Sequence, residues 1–367
     1  MEEDVYEQWR EQGPKTLAWD ASKQVPDVGT VAEEMTTLVE AVRSAGHELT
    51  VVNIRDDLGA MLRVIEAAKP EIIFNLVEFF GEDAGHEAHI AGVYEMLELQ
   101  YTGSRPAALM SCQRKHRTKA ILRDAGVPTA KSFVVSGRRG HHVVPTDHGL
   151  RFPVIVKPSM EDASGGIDTD SVIYDPARLA GKVDQMLADY EMPILVEEYI
   201  DGRELHCAIL GTEALPLYEM TFAGGLDDHG KALPRIITYR AKWDPYSKDH
   251  EAVNGVCPPD NLEAPIAAYV QSVAIKAFKA LGCRDYARVD MRLDPVSGEA
   301  YVLEVNPNPD LADGCAFANS VRASGRTYAE AINAIVEMAL ARGRNRPPRP
   351  EGPSDTLLRE YLARPRS

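Results

Sequence analysis

The chain has 367 residues, 44% of them hydrophobic and 26% charged, which suits a folded protein with room for two or three cores. Its formal net charge of −16 opposes the phosphate backbone of nucleic acids, so no nucleic-acid partner is expected, although a local basic groove for phosphates stays open. No apolar run approaches the length that spans a bilayer, and the acidic start Met1-Glu2-Glu3-Asp4 has no apolar stretch behind it. Cys112, Cys207, Cys257, Cys283 and Cys315 are odd in number and widely spaced, which reads as reduced thiols; a cytoplasmic protein is expected.

Residues 15–19 read as a short strand. Residues 31–45 have helical periodicity and stop at Gly46, a natural C-cap. The β-branched run 49–54 reads as a strand, 58–68 as a helix ended by Pro70, and 71–77 as another strand. Strands alternating with helices predict a parallel sheet covered on both faces, hence an α/β domain over residues 14–105. A helix over 114–124 then ends in Ala125-Gly126-Val127-Pro128. Strands at 133–135 and 152–158, a small-residue loop at 162–166 and a helix at 178–190 predict an α+β lobe over residues 106–192. A strand at 193–197 opens a last domain, residues 193–342, with helices at 264–281 and 328–341. Its stretch 223–259 reads as irregular, and irregular stretches of that length are usually lids, binding loops or disordered. Residues 343–367 are rich in Arg and Pro and are expected to be a mobile tail.

The most chemically pointed segment is Leu303-Glu304-Val305-Asn306, read with Arg288-Val289-Asp290. Glu304 and Asn306 are two apart on a strand, so both side chains share a face. Asp290, Glu304 and Asn306 are hard-oxygen donors that suit Mg²⁺, which is commonly shared with substrate phosphates. A surface hairpin with ordinary polar residues is the alternative that this segment alone leaves open.

Further motifs stand around it in order: Gly81-Glu82-Asp83 with Tyr101-Thr102-Gly103-Ser104; Lys115 with Lys119; Val154-Ile155-Val156-Lys157-Pro158 with Gly165-Gly166; Val196-Glu197-Glu198-Tyr199-Ile200 with Gly202-Arg203-Glu204; and Ala241-Lys242-Trp243. Over residues 70–342 this succession resembles the ATP-grasp carboxylate–amine ligases, most closely the D-alanine–D-alanine ligases. The resemblance implies an ATP-grasp fold, mixed α/β and α+β, behind an N-terminal parallel-sheet domain. It implies an ADP-forming ligase that joins a small-molecule carboxylate to an amine, with ATP and one or two Mg²⁺ (or Mn²⁺) ions. Lys115 and Lys157 would neutralise phosphates. Ser164, Gly165 and Gly166, with Ala163, would form the phosphate loop. Glu197, Glu198, Tyr199 and Ile200 would form the adenine-binding strand, largely through main-chain groups, with Ile155 and Leu303 against the base. Glu204 would accept the ribose hydroxyls. Lys242 would reach the γ-phosphate on loop closure, Arg288 would stabilise developing charge, and Asp290, Glu304 and Asn306 would hold the metal. One of His86 and His89, which follow the Gly81-Glu82-Asp83 run, could touch substrate. Relatives commonly pair through the N-terminal domain, so a homodimer is an expectation as well.

The departures from the family pattern gather on the substrate side. The N-terminal Ser-containing loop with its substrate-facing Glu is not visible. Glu78-Phe79-Phe80 stands where His-Gly is usual, Trp243 replaces a Tyr, and Asn306-Pro307-Asn308-Pro309-Asp310-Leu311 replaces N-T-x-P-G-M-T. These departures imply a working ATP engine with altered substrates. An ATP-binding regulatory protein that has lost ligase chemistry is the alternative. A dinucleotide-binding oxidoreductase is disfavoured, because no G-x-G-x-x-G follows the first strand.

Overall fold

A computed structural model of the protein describes residues 15–17, 20–25, 31–54, 56–81, 83–162, 164–225 and 232–344. The expected tail falls outside these residues apart from Gly343 and Arg344, which complete the helix Tyr328–Arg344; Glu82 and Ala163 fall outside them too.

In chain order the strands are β1 (Lys15–Leu17), β2 (Asp20–Val25), β3 (Ile72–Ile73), β4 (Gln100–Tyr101), β5 (Ser132–Val135), β6 (Val154–Pro158), β7 (Val172–Ile173), β8 (Ile194–Glu198), β9 (Arg203–Leu210), β10 (Glu213–Ala214), β11 (Tyr218–Phe222), β12 (Val253–Val256), β13 (Tyr286–Leu293) and β14 (Ala300–Asn306). They form an antiparallel β1–β2 hairpin, a parallel β3–β4 pair, a four-stranded antiparallel sheet ordered β5-β8-β6-β7, and a six-stranded antiparallel sheet ordered β12-β11-β9-β13-β14 with β10 beside β9.

The six-stranded sheet shows period-2 alternation in its clearest form. Leu205, Cys207, Ile209, Val289, Met291, Val302 and Val305 face a core closed by Val270, Val273, Ala274 and Phe278 of the helix Ala264–Ala280, and by Cys112 and Leu122 of the helices Pro106–Gln113 and Lys115–Asp124. The residues between them face the other way. The cross-strand partners Arg288↔Ala208, Asp290↔His206 and Arg292↔Glu204 put Glu204, His206, Arg288, Asp290 and Arg292 on that opposite face, and Arg288↔Asn306 and Asp290↔Glu304 add the two β14 residues. Towards one end this face turns apolar: Ala208, Leu210 and Tyr286 pack with Phe317, Val321, Ile332 and Ile335 of the helices Ala316–Ala323 and Tyr328–Arg344. The four-stranded sheet has its own core, with Val154, Val156, Ile194 and Val196 packed on Leu179, Val183 and Met186 of the helix Pro176–Asp189.

Three expectations are corrected. Residues 49–54 form no ladder, and Val51 and Val52 are 55% and 41% exposed; β-branched composition suits a strand only where a partner strand lies alongside. Of the expected strand 71–77 only β3 pairs. Beyond it Thr102 Oγ1 accepts the Asn75 N–H (3.0 Å) and Asn75 Oδ1 accepts the Val77 N–H (3.4 Å), so side-chain oxygens replace ladder carbonyls. Residues 223–259 are not all irregular. They hold the helices Tyr239–Trp243 and Lys248–Glu251, capped by Thr238 and Ser247, followed by β12. Helices of five and four residues are too short to show periodicity, so only their caps could have announced them. In addition, β8, which begins just past the expected break at 192, lies inside the four-stranded sheet between β5 and β6.

Candidate active site

The polar face of the six-stranded sheet looks into a cleft of about 2170 Å³ whose lining includes Lys157 and Glu197 of the four-stranded sheet and Lys115 at the start of its helix. On β13 and β14, Asp290 and Glu304 stand directly opposite one another, and Arg288 stands opposite Asn306. The register then slips between Asp290 and Met291, whose partner is Val302, so Leu303 is an extra residue in a bulge. Without the slip Leu303 would join Val305 on the core face; with it, both Leu303 and Glu304 line the cleft.

Asp290 is buried and accepts a two-pronged interaction from Arg288, Nε to Oδ1 and Nη2 to Oδ2 at 2.8 Å each, plus the Asn306 amide at 3.0 Å. Burial works to lower the Arg288 pKa, but Asp290 together with Glu304 raises it above its ordinary value. Glu304 receives Lys115 Nζ at 3.3 Å. Burial works to raise the Glu304 carboxyl, yet Lys115, Lys157, Arg288 and Lys242 together hold it well below the ordinary carboxylate value. Among the described residues no three His, Cys, Asp or Glu side chains form a ready metal cage. Two carboxylates and an amide oxygen fit a different arrangement, in which Mg²⁺ shares its ligands with nucleotide phosphates. The ionised state of Glu304 meets that need.

Across the cleft Glu197 is buried with two lysines, Lys119 and Lys157, each with Nζ 2.5 Å from a carboxylate oxygen. Burial pushes the Glu197 carboxyl up, and the lysines overcome it to bring it down to about 2. Burial, joined by the charge of Lys157, lowers Lys119 although Glu197 works to raise it. Lys119 is fully enclosed and also donates to Thr129 Oγ1 at 2.7 Å. The expected phosphate ligand Lys157 is therefore aimed by a carboxylate that a second lysine holds. The side chain of Glu198 leaves the opposite face of β8 to accept the Arg151 N–H at 3.0 Å and its guanidinium at 3.1 Å, so only main-chain contacts with a base are open to it. Ile200 is buried, and Tyr199 donates its hydroxyl to the Arg235 carbonyl at 3.2 Å. Tyr199 also packs with Ile155 and Ile236 in a small apolar cluster.

Ser164, Gly165 and Gly166 make a tight turn with positive φ at Ser164 and Gly166; Gly165 donates its N–H to the Asp162 carbonyl at 2.8 Å. Lys115 Nζ donates to the Glu161 carbonyl at 2.6 Å and so ties this turn to Glu304. Glu204 receives Arg292 at 2.6 Å and His206 Nε2 at 3.3 Å. Lys242, on the short helix Tyr239–Trp243, is exposed and close enough to help lower the Glu304 carboxyl and to oppose the rise of Glu78. His86 Nδ1 is paired with the Phe80 carbonyl at 2.6 Å, and neither His86 nor His89 lines the cleft.

Several residues of the site escape a motif-by-motif reading. Lys119 stands in a motif with Lys115 that gives it no role, and His206 and Arg292 carry no motif of their own. Period-2 continuation of Glu204 and of Arg288-Asp290 would have found the last two. Asn308 is the other. Its Oδ1 accepts the Ser104 N–H at 3.0 Å and its amide donates to Glu87 at 2.7 Å. Gly103 lies beside it at φ +84°, where a Cβ would strike the Asn308 side chain, so both the turn and the close approach require glycine. Around this junction acidic groups collect. Burial, opposed by the Asn308 amide and helped by Glu78 and Asp162, raises Glu87 to about 7; burial and then Asp310 and Asp162 raise Glu78.

A family model described as the D-ala D-ala ligase C-terminus matches residues 121–337. The chain is 33% identical over 320 residues to y4sG, an uncharacterized protein of Sinorhizobium fredii, covering 83% of this chain and 87% of that protein. It is 31% identical over 309 residues to the D-alanine–D-alanine ligase of Bartonella henselae, covering 83% and 91%. The crystal structure of the D-alanine–D-alanine ligase from Bacillus anthracis shares its fold with a TM-score of 0.66 at 24% identity, over 85% of this chain and 93% of that one, and the form of that enzyme complexed with ATP does so at 0.65.

Proposed function

The chain belongs to the D-alanine–D-alanine ligase family of ATP-grasp proteins, and from that premise we propose that it is an ADP-forming ligase that activates a carboxylate as an acyl phosphate and couples it to an amine, with substrates other than a pair of D-alanines. One observation carries the reading: Glu204, Arg288, Asp290, Glu304 and Asn306 share one face of an antiparallel sheet, and Lys115, Lys157 and Lys242 meet them in a single cleft.

The substrate carboxylate attacks the γ-phosphorus of ATP and ADP leaves. The amine then attacks the acyl carbon, and phosphate departs as the amide forms. Lys115 and Lys157, now paired with Glu304 and Glu197, exchange those partners in part for phosphate oxygens, which accept charge-assisted hydrogen bonds of the same kind. Arg288 presents a planar fork where charge develops. Tyr199, Ile200, Ile155 and Leu303 offer the apolar walls for the base, and Glu204 the acceptor for ribose hydroxyls. Mg²⁺ bound by Asp290, Glu304 and Asn306 would offset the charge on the transferring phosphoryl group. Lys242 sits on a short helix between the stretch from Ala223 and β12, where a small rotation brings it over the phosphates and excludes water that would hydrolyse an acyl phosphate.

The substrate side supports altered specificity. Asp310 stands where the family pattern has Gly, and burial, helped by Asp310 or by one another, raises the carboxyls of Glu34, Glu78 and Glu87. Exposed Val51, Leu58, Phe79 and Met96 of the N-terminal region are apolar surface that a second copy would cover, so a homodimer is part of the proposal. Hydroxylamine trapping tests the chemistry. With ATP, Mg²⁺ and the correct carboxylate, the protein should release ADP and form a hydroxamate; ATP binding with neither product from any amino acid would favour the regulatory alternative.

A further inference from the structure

His206 is the one titratable side chain on the polar face of β9 to which the proposed mechanism gives no work. It is 6% exposed, and its ring stacks on Tyr218 with centroids 6.3 Å apart and an interplanar angle of 20°. Nε2 lies 3.3 Å from Glu204 Oε1. Nδ1 has no hydrogen-bond partner although it is buried, and it faces Asp290 Oδ1 at 3.9 Å. That oxygen is the one Arg288 Nε now holds at 2.8 Å. The ring therefore spans the two ends of the site, with the expected ribose acceptor on one side and the expected metal carboxylate on the other. A buried nitrogen without a partner is destabilising unless a bound state satisfies it.

We propose that His206 is a positioning residue that couples ribose occupancy at Glu204 to metal binding at Asp290 through the tautomer of its ring. This rests on the ATP-site reading above. A neutral imidazole has one N–H, and the bond made by one nitrogen sets the role of the other. With Glu204 alone as neighbour, Nε2–H donates to Glu204 and Nδ1 turns a lone pair towards Asp290. A ribose hydroxyl that donates to Nε2 favours the other tautomer, whose Nδ1–H points at Asp290 Oδ1. That N–H replaces Arg288 Nε on the oxygen it faces, orients the carboxylate, and leaves Arg288 free for phosphate. Outer hydrogen bonds of this kind commonly tune metal affinity.

The test uses the full chain, Mn²⁺ as the metal probe, and adenosine, which carries the ribose hydroxyls without phosphates that bind metal. Mn²⁺ affinity is measured by electron paramagnetic resonance with saturating adenosine, with 2′,3′-dideoxyadenosine and with neither. The expected result is a tightening of about five-fold or more by adenosine and little by the dideoxy compound. In His206→Thr the ratio should fall to near one. In His206→Gln, whose amide can accept at one end and donate at the other, it should be partly retained. Equal tightening by both nucleosides, or full coupling in His206→Thr, would overturn the inference while leaving the ATP site intact. Coordination of ¹⁴N to the bound Mn²⁺ in pulsed spectra would also overturn it, because the ring would then be a ligand itself. Failure of Mn²⁺ to bind beside adenosine would overturn this inference alone, whereas failure of ATP with Mn²⁺ to bind the unaltered protein would remove the ATP-site reading and this inference with it.

Discussion

The two sides of the cleft are built differently. On one side, three long antiparallel strands, β9, β13 and β14, set Glu204, Arg288, Asp290, Glu304 and Asn306 by register, and their alternate residues fill a continuous core. On the other, the N-terminal region offers a parallel pair of two-residue strands, a stretch at 49–54 outside any described ladder and exposed apolar side chains. Register holds a charged group to within the tolerance of a ladder, whereas loops leave room for change. The difference teaches where this chain was free to diverge. On our reading the motifs that resemble the family stand on the ladder side, and the departures from them stand on the side built on loops and acidic groups.

The comparison can be broken most forcefully at Glu197, the carboxylate paired with both Lys119 and Lys157. Glu197→Gln leaves buried lysine charge uncompensated and should cost about 3–5 kcal/mol in urea denaturation. The pH dependence gives the sign. The folded value of about 2 lies below the ordinary 4.5, so the stabilisation is present above pH 4.5 and is lost as pH falls towards 2. The gap between wild type and Glu197→Gln should close over that range, and a gap that persists at the acid end would remove the ion-pair account.

Next in size is Glu304→Gln. It should lower kcat by about 100- to 1000-fold while far-UV circular dichroism stays unchanged, and near-normal turnover would remove Glu304 from the metal site. Lys242→Ala should be milder, lowering kcat by about 10-fold or somewhat more while the KM for ATP changes little; a rise in KM at constant kcat would mean that the lysine binds ATP without acting in transfer. The smallest effect lies on the loop side. Glu87 is raised to about 7, so its ionisation opposes the fold as pH climbs from 4.5 through 7. Glu87→Gln keeps an oxygen for the Asn308 amide and should gain about 1 kcal/mol at pH 8 and nothing near pH 4. A gain that does not vary with pH would point to packing instead.

How legible the molecule was in its sequence follows the same divide. β13 shows itself through apolar alternation, β6 through a short apolar run closed by a proline, and Glu304 and Asn306 through a spacing of two. The bulge at Leu303 is invisible, because one extra residue in a strand changes a face without changing composition. Lys119 was visible as a letter beside Lys115, but its burial against Glu197 depends on two helical turns meeting a strand from another part of the chain. His206 looks like any strand residue until β9 is set beside β13. At residues 49–54 composition pointed to a strand, and among the described residues no strand forms there. Local pattern thus reads where contacts are local or periodic, and fails where a distant element decides.

The central claim is that an intact ATP engine serves altered substrates. Its most direct test is ADP release from ATP and Mg²⁺ across D- and L-amino acids, singly and in pairs, with mass spectrometry of the products. The account predicts release and an amide product with a pair other than two D-alanines, the amine partner bearing extra positive charge if the acidic groups around Asp310 select it. Efficient formation of the D-alanine dipeptide, with no better pair, would contradict it.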